Sequence, residues 1–277
     1  MPRSSVTCWR VRGALAAALA AVVLGGCGSD PQTSMADPPA PTYPPSAGAT
    51  APGHQVVAQS QPAPSVRSLP AAPVPVTPAF DGLKPGDAGP SVVALQQRLS
   101  QLGFWVGDAD GAYGDTTTQA VMALQKAVGL ARDGVMGPKS RQALARGVSL
   151  QPHSSDGHWI EIDKSRQLLM LVDGGRVSTI LNTSTGSDQP YSYGGHHYTA
   201  NTPTGTFAVF RQVDRLDPGP LGDLWRPKYF NGGIAVHGAA AVPAYPASHG
   251  CARVSDAAMN WIWGTDKAAI GTRVWVY

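Results

Sequence analysis

Proline is unevenly distributed along this chain, and the unevenness decides where a packed structure can form. Thirteen of the 25 prolines fall between residues 28 and 80, in a stretch rich in Ala, Ser, Thr and Gln whose only charges are Asp30, Asp37 and Arg67. Such a segment buries too little apolar surface to offset the entropy of ordering it, and its prolines bias it toward extended polyproline II geometry. It reads as a disordered tether, with a reach on the order of 150 Å at ~3.1 Å per residue. The rest of the 277 residues has room for one or two ordinary domains. With 32 glycines, 25 prolines and only 14% charged residues, the composition points to a β-rich chain rather than a helical bundle.

Ahead of the tether, Arg3, Arg10 and Arg12 precede an apolar run at residues 13–24, shorter than the roughly 20 residues a spanning helix needs. Residues 1–26 therefore read as a signal peptide. The run ends Leu24-Gly25-Gly26-Cys27, which resembles the bacterial lipoprotein cleavage box. That resemblance implies an acylated Cys27 at the start of the mature chain, lipid-anchored on the extracytoplasmic side of the plasma membrane in the cell envelope. An ordinary signal peptide cut nearby is the plainer alternative, and both place the protein outside the cytoplasm. An anchor followed by a spacer over residues 27–80 suits a target held away from the membrane.

The three leader arginines leave with the signal, so 18 basic residues face 18 acidic ones in the remainder. A neutral chain has no electrostatic footprint for nucleic acid. Glu161 is the sole glutamate, so a glycan-cleaving Glu acid would have to be that residue, which disfavours glycoside hydrolysis. Cys8 departs with the signal and Cys27 is expected to be lipidated, which leaves Cys251 as the one free thiol. In an oxidising compartment a lone cysteine is a buried hydrophobe, an intermolecular bridge or a reactive group, and its neighbours decide which.

Residues 82–147 read as three helices. Pro90 suits a first turn, and Val92, Leu95, Leu99 and Leu102 recur at helical spacing before Gly103 at a C′ position. A second helix is expected from Asp115 as N-cap, burying Val121, Leu124 and Val128 and stopping at Gly129; a third runs from Gly137-Pro138 to near Gly147. Asp110-Gly111, Gly114, Thr117, Gln119, Ala120 and Val121 match Asp133-Gly134, Gly137, Ser140, Gln142, Ala143 and Leu144 at an offset of 23 residues. Asp108, Asp110 and Asp115 do not make a calcium loop, because Gly111 stands at position four rather than six and Gln119 at position twelve. The leucines are expected to be core. With Leu95-Gln96, Tyr113-Gly114 and Gln125, the segment closely resembles the type 1 peptidoglycan-binding domain, a small three-helix fold.

From residue 157 the pattern changes to short strands, expected at 159–163, 167–172, 176–182, 205–213, 233–236 and 272–277. Asp173-Gly174-Gly175 forms a hairpin turn. One helix is expected from Ser255 to just before Gly264, burying Met259 and Ile262. The result is a mainly-β domain of about 120 residues.

Two pieces of this domain carry chemistry: Ile234-Ala235-Val236-His237-Gly238, then Ser248-His249-Gly250-Cys251-Ala252-Arg253. Thiol catalysis needs a thiolate, a base to make it and donors for the developing oxyanion. Papain-like and NlpC/P60-type thiol peptidases place the catalytic His after the Cys, and residues 252–277 contain no His. The base must then come from His153, His158, His196, His197, His237 or His249. A zinc peptidase could draw on the same histidines, but there is no HExxH and no carboxylate at ligand spacing, so no metal and no cofactor is expected. A non-catalytic, wall-anchoring lipoprotein with a decayed site is the other rival.

An upstream His-Gly followed by Ser-His-Gly-Cys-x-Arg resembles the L,D-transpeptidase (YkuD-type) catalytic domain, and Asn201-Thr202-Pro203-Thr204-Gly205-Thr206-Phe207 is similar to that family's Thr-Pro-x-Gly strand start. The fold class implied is a small all-α three-helix peptidoglycan-binding module followed by a mainly-β catalytic domain over residues 157–277. The resemblance implies Cys251 as nucleophile and His237 as base, with the Gly238 carbonyl orienting the His237 ring. His249, Gly250 and Cys251 would supply oxyanion N–H groups, and Ser248, Arg253 and Tyr229 would meet substrate. It implies thioester formation with a stem tetrapeptide, release of D-alanine and transfer to an amine of a neighbouring stem; water as acceptor would make the enzyme an L,D-carboxypeptidase. The partners implied are peptidoglycan stem peptides and glycan, and the membrane through the lipid, with the protein expected to be monomeric. His237 and Cys251 are only fourteen residues apart, which predicts a small intervening lid.

Overall fold

The computed structural model describes residue 80 and residues 82–277. The expected signal peptide, the Cys27 lipidation site and the tether up to residue 79 lie outside the described residues.

Three helices come first: α1 (Pro90–Gln101), α2 (Asp115–Ala127) and α3 (Pro138–Arg146). Each of α1 and α3 opens on proline, whose fixed φ suits a first turn. The chain leaves α1 through Gly103, whose φ of 84° favours glycine. The offset-23 repeat has a physical basis. Gln96 of α1 donates to Asp110 Oδ1 (2.8 Å) and the Ala112 carbonyl (3.0 Å) and accepts from the Gly111 N–H (2.9 Å). Gln125 of α2 treats the second loop alike, donating to Asp133 Oδ1 (2.6 Å) and the Val135 carbonyl (3.0 Å) and accepting from the Gly134 N–H (2.9 Å). One buried amide thus ties each Asp-Gly loop to the helix before it. Two expectations are corrected here. The N-cap of α2 is Gly114, with Asp115 the first helical residue, where its carboxylate faces the positive end of the helix dipole. Val128 is 37% exposed, because α2 ends at Ala127 and the chain turns outward through Gly129.

Two larger sheets, a separate two-stranded sheet of the fourth and fifth strands, and a helix follow. The strands are β1 (His158–Asp163), β2 (Leu168–Asp173), β3 (Arg176–Asn182), β4 (Pro190–Tyr193), β5 (His196–Thr199), β6 (Gly205–Ala208), β7 (Arg211–Gln212), β8 (Leu216–Asp217), β9 (Leu224–Asn231), β10 (Ile234–Ala239), β11 (Ala252–Ser255) and β12 (Arg273–Val276); α4 (Asp256–Gly264) precedes β12. The first sheet has the order β3-β2-β1-β12-β6, with β1 and β12 parallel. The second has the order β11-β10-β9-β7, with β8 also on β9 and with β10 and β11 parallel. Gly174 and Gly175, both at positive φ, turn β2 into β3 as expected.

The expected strand 205–213 is in fact broken. Its first half pairs with β12, then Val209 and Phe210 cross over and Arg211–Gln212 joins β9 in the other sheet. β9 contains Pro227, which argues against a strand on sequence; Arg226 at φ 50° supplies the irregularity that admits it.

All of Leu168 to Val172 is buried because β2 is covered on both faces. Leu169 and Leu171 meet Ile160, Val236, Val254 and Met259 between the sheets. Leu168, Met170 and Val172 instead share a core with Leu95, Leu99, Phe104 and Leu124 of the helical module. The module also extends the sheet: the Trp105 N–H donates to the Ile180 carbonyl (2.9 Å) and the Ile180 N–H to the Gly103 carbonyl (2.8 Å), covering the edge of β3.

Candidate active site

The parallel ladder of β10 and β11 sets His237 opposite Arg253. Cys251 immediately precedes β11, on the turn that leads into it. Register brings His237 and Arg253 together, and with Cys251 they line a cavity of about 680 Å³.

His237 is buried, and its Nδ1 lies 2.7 Å from the Gly238 carbonyl oxygen. A carbonyl only accepts, so Nδ1 carries the proton and Nε2 is left with its lone pair. Burial pushes the imidazole down to about 4, against the pull of the Gly238 carbonyl and with a small push from Arg253. Gly238 has to be glycine: a Cβ there would lie 2.6 Å from both Trp225 Cδ1 and Asp256 Oδ1.

Cys251 is partly exposed, its Sγ 3.5 Å from the Ala235 N–H that points at it. Desolvation raises its thiol above the ordinary cysteine range, more than Ala235 and Arg253 lower it. Burial thus favours the uncharged form of both groups.

The turn before the nucleophile is held by hydroxyls. Ser248 Oγ accepts from the Gly250 N–H (3.0 Å) and donates to the Cys251 carbonyl (2.6 Å). Thr202 donates to the Gly250 carbonyl (2.6 Å) and accepts from the Gly186 N–H (2.9 Å). Thr183 donates to the Arg253 carbonyl (2.8 Å), and the Ser248 N–H donates to the Thr185 carbonyl (2.9 Å). Residues 183–185 are fully buried and form the bed of this turn. Sequence reasoning missed them; the available signal was an unbroken run of hydroxyl residues directly after a strand. Two expected roles change as a result. Buried Ser248 spends its hydroxyl on the turn rather than on substrate, and the Gly250 N–H is already taken and is not free to bind an oxyanion.

Tyr229 lines the cavity, with its hydroxyl on Asp217 (2.6 Å) and the Arg211 guanidinium 3.6 Å from its ring centroid. Burial, followed by the Asp217 hydrogen bond, pushes its phenol up to about 12. Arg253 reaches the Ala247 carbonyl at 3.4 Å and also faces the cavity. The His249 ring is exposed at the rim, edge-on to Tyr191 with centroids 4.8 Å apart. His196 and His197 sit on β5, His158 pairs with Asp173, and His153 stacks on Tyr277. Glu161 is fully buried and accepts from the Ser154 N–H and hydroxyl, both at 2.7 Å, so the sole glutamate is a structural anchor.

The site is thus a cavity lined by a buried imidazole that carries its proton on Nδ1 and by a thiol on the turn into β11. Comparison with known proteins gives it a family. The L,D-transpeptidase catalytic domain (YkuD) matches residues 157–276 and a peptidoglycan binding domain matches residues 88–144. The crystal structure of the L,D-transpeptidase of Xylanimonas cellulosilytica (its residues 123–326) is similar at 50% identity and a TM-score of 0.69, covering 76% of this chain and all of that one. This chain belongs to the L,D-transpeptidase family and carries a peptidoglycan-binding domain ahead of the catalytic one. Among curated proteins, the N-acetylmuramoyl-L-alanine amidase CwlL of Bacillus licheniformis is 47% identical over 78 residues, 27% of this chain and 22% of that protein. The amidase CwlM of Mycobacterium tuberculosis is 45% identical over 56 residues, 20% of this chain and 14% of the other. The chain thus spans less than a quarter of the length of these curated relatives.

Proposed function

We propose that this chain is a peptidoglycan L,D-transpeptidase that works through a Cys251 thioester. As Cys251 Sγ attacks the carbonyl of the third residue of a donor tetrapeptide, its proton passes to His237 Nε2. The tetrahedral oxyanion is met by backbone N–H groups of the His249–Cys251 turn other than that of Gly250. Collapse breaks the bond to D-alanine, whose nitrogen takes the proton back from His237, and a thioester remains. An amine of a neighbouring stem then gives its proton to His237 and attacks the thioester. The product is an amide between third residues, and the thiol is regenerated.

The observation that carries this reading is the Nδ1 contact to Gly238, because it makes Nε2 the basic nitrogen of a ring that lines the same cavity as Cys251. Tyr229 and Arg253 are proposed to contact the donor stem. The helical module is proposed to hold the wall, and acylated Cys27 with its tether to hold the chain at the membrane. Incubation of the protein with tetrapeptide muropeptides tests the reaction: a cross-linked dimer with loss of D-alanine is expected, insensitive to chelator and abolished by alkylation. Loss of D-alanine without any dimer would mean that water is the acceptor.

A further inference from the structure

The hairpin of β4 and β5 takes no part in the chemistry above. Its register sets Tyr191 opposite Tyr198 and Tyr193 opposite His196. Side chains alternate along strands, so these four rings share one face, while Pro190, Ser192, His197 and Thr199 share the other. On the second face the Ser192 hydroxyl meets His197 Nδ1 at 2.9 Å. On the ring face Tyr191 and Tyr198 stack with centroids 5.4 Å apart, and His196 stands edge-on to Tyr198 at 6.4 Å. The face is open: Tyr193 and Tyr198 keep 47% and 45% of their surface exposed. Cross-strand ring pairs stabilise a hairpin modestly, yet rings with no core behind them leave an open apolar face of the kind that receives a ligand.

Two further observations say which ligand. Tyr191 both joins the ring face and lines the catalytic cavity, edge-on to His249. The hairpin therefore meets the rim of the Cys251 site, its ring face through Tyr191 and its other face through Thr199. Residues 189–201 also contain no Asp, Glu, Lys or Arg. A surface that read a stem peptide, with its carboxylates and amines, would carry opposing charge. Neutral, electron-rich ring faces suit the C–H faces of sugars, and tyrosine hydroxyls and imidazole nitrogens suit their hydroxyls.

We propose that the ring face of this hairpin binds saccharide, and that its occupant is the glycan chain whose stem enters the cavity. The identity of that glycan as peptidoglycan rests on the function proposed above. With the glycan held there, the stem reaches Cys251 at a raised effective concentration, so polymeric substrate is favoured over free peptide.

The test uses the full chain carrying Cys251→Ala and glycan chains stripped of their stems. Titration should show binding that weakens on the order of tenfold or more in a Tyr193→Ala/Tyr198→Ala variant, as expected for two lost ring contacts. Tyr193→Phe/Tyr198→Phe should keep most of the affinity. The helical module is common to all these proteins, so the difference reads the hairpin. Equal affinity in the alanine variant overturns the proposal. In the active chain, the alanine pair should raise KM for a glycan-bearing donor and leave turnover of the free tetrapeptide unchanged. An equal loss on the free peptide would assign the face to the stem and also overturn it. Failure of the unaltered chain to turn over any stem peptide would sink the proposed reaction, and the glycan titration would still read the hairpin by itself.

Discussion

At His237 the ring is fixed through Nδ1 by the carbonyl of the next residue, and that residue has no space for a side chain. Gly238→Ala should therefore act twice: overpacking against Trp225 destabilises the fold by about 1–3 kcal/mol, and a displaced carbonyl frees the ring. Denaturant unfolding together with the acylation rate would reveal both; unchanged values would contradict the assigned role. His237→Ala should slow acylation by about 10² to 10⁴, while His249→Ala, which removes a rim ring, should do far less. A larger loss at His249 would reverse the two roles. The acid limb of the acylation rate should lie near pH 4, where His237 gains the proton that blocks it as a base. A limb at the ordinary histidine value, about 6.5, would mean that burial does not set its basicity. The motif and the order of His before Cys pointed to His237 and Cys251, and the structure sets both on one cavity. The duty of Ser248 was not, since a serine beside a nucleophile reads equally as substrate contact or turn brace until its hydrogen bonds are seen.

Among the elements, α2 shows how the helical module is bolted in place. Lys126 is buried and gives its ammonium hydrogens to the Gln167 (3.0 Å) and Thr183 (2.9 Å) carbonyls, one of which belongs to the bed of the nucleophile turn. Desolvation drops its pKa from 10.5 to about 7. The unfolded chain then binds more protons than the folded one between these values, so this lysine makes stability rise with pH across that window and fall back as pH drops toward 7. Lys126→Met should flatten that share of the rise; denaturation midpoints at several pH values in both proteins would show it, and parallel curves would contradict it. The three helices and most of the first sheet were legible because periodicity and glycine or proline punctuation agreed. The second sheet was harder to see. Pro227 masks β9, and the crossover at Val209 divides one apolar run between two sheets; the separate hairpin of β4 and β5 was missed because its Tyr and His lie on a face that no core selects. The run Leu168 to Val172 is apolar at every position, which suits burial on both faces but does not say what lies on the outer one.

For the molecule as a whole, that outer face decides whether the parts are separable. The helical module covers Leu168, Met170, Val172 and Trp159, so deleting residues 82–147 should expose a continuous apolar surface on the first sheet. The truncated protein should aggregate or melt well below the full chain, and lose turnover for that reason alone. A monomeric fragment of unchanged stability would show that the shared core contributes nothing. Wall binding is better probed in the intact chain, where module and cleft stay in fixed relation. The central claim, acyl transfer through one thiol, is tested most directly by the intact mass of the protein mixed with a tetrapeptide donor and quenched in acid. The expected result is a single added acyl group, equal to the donor less D-alanine, that maps to Cys251 and is absent from Cys251→Ala. D-alanine released with no acyl group ever found on Cys251, or the same adduct on the Cys251→Ala protein, would contradict it.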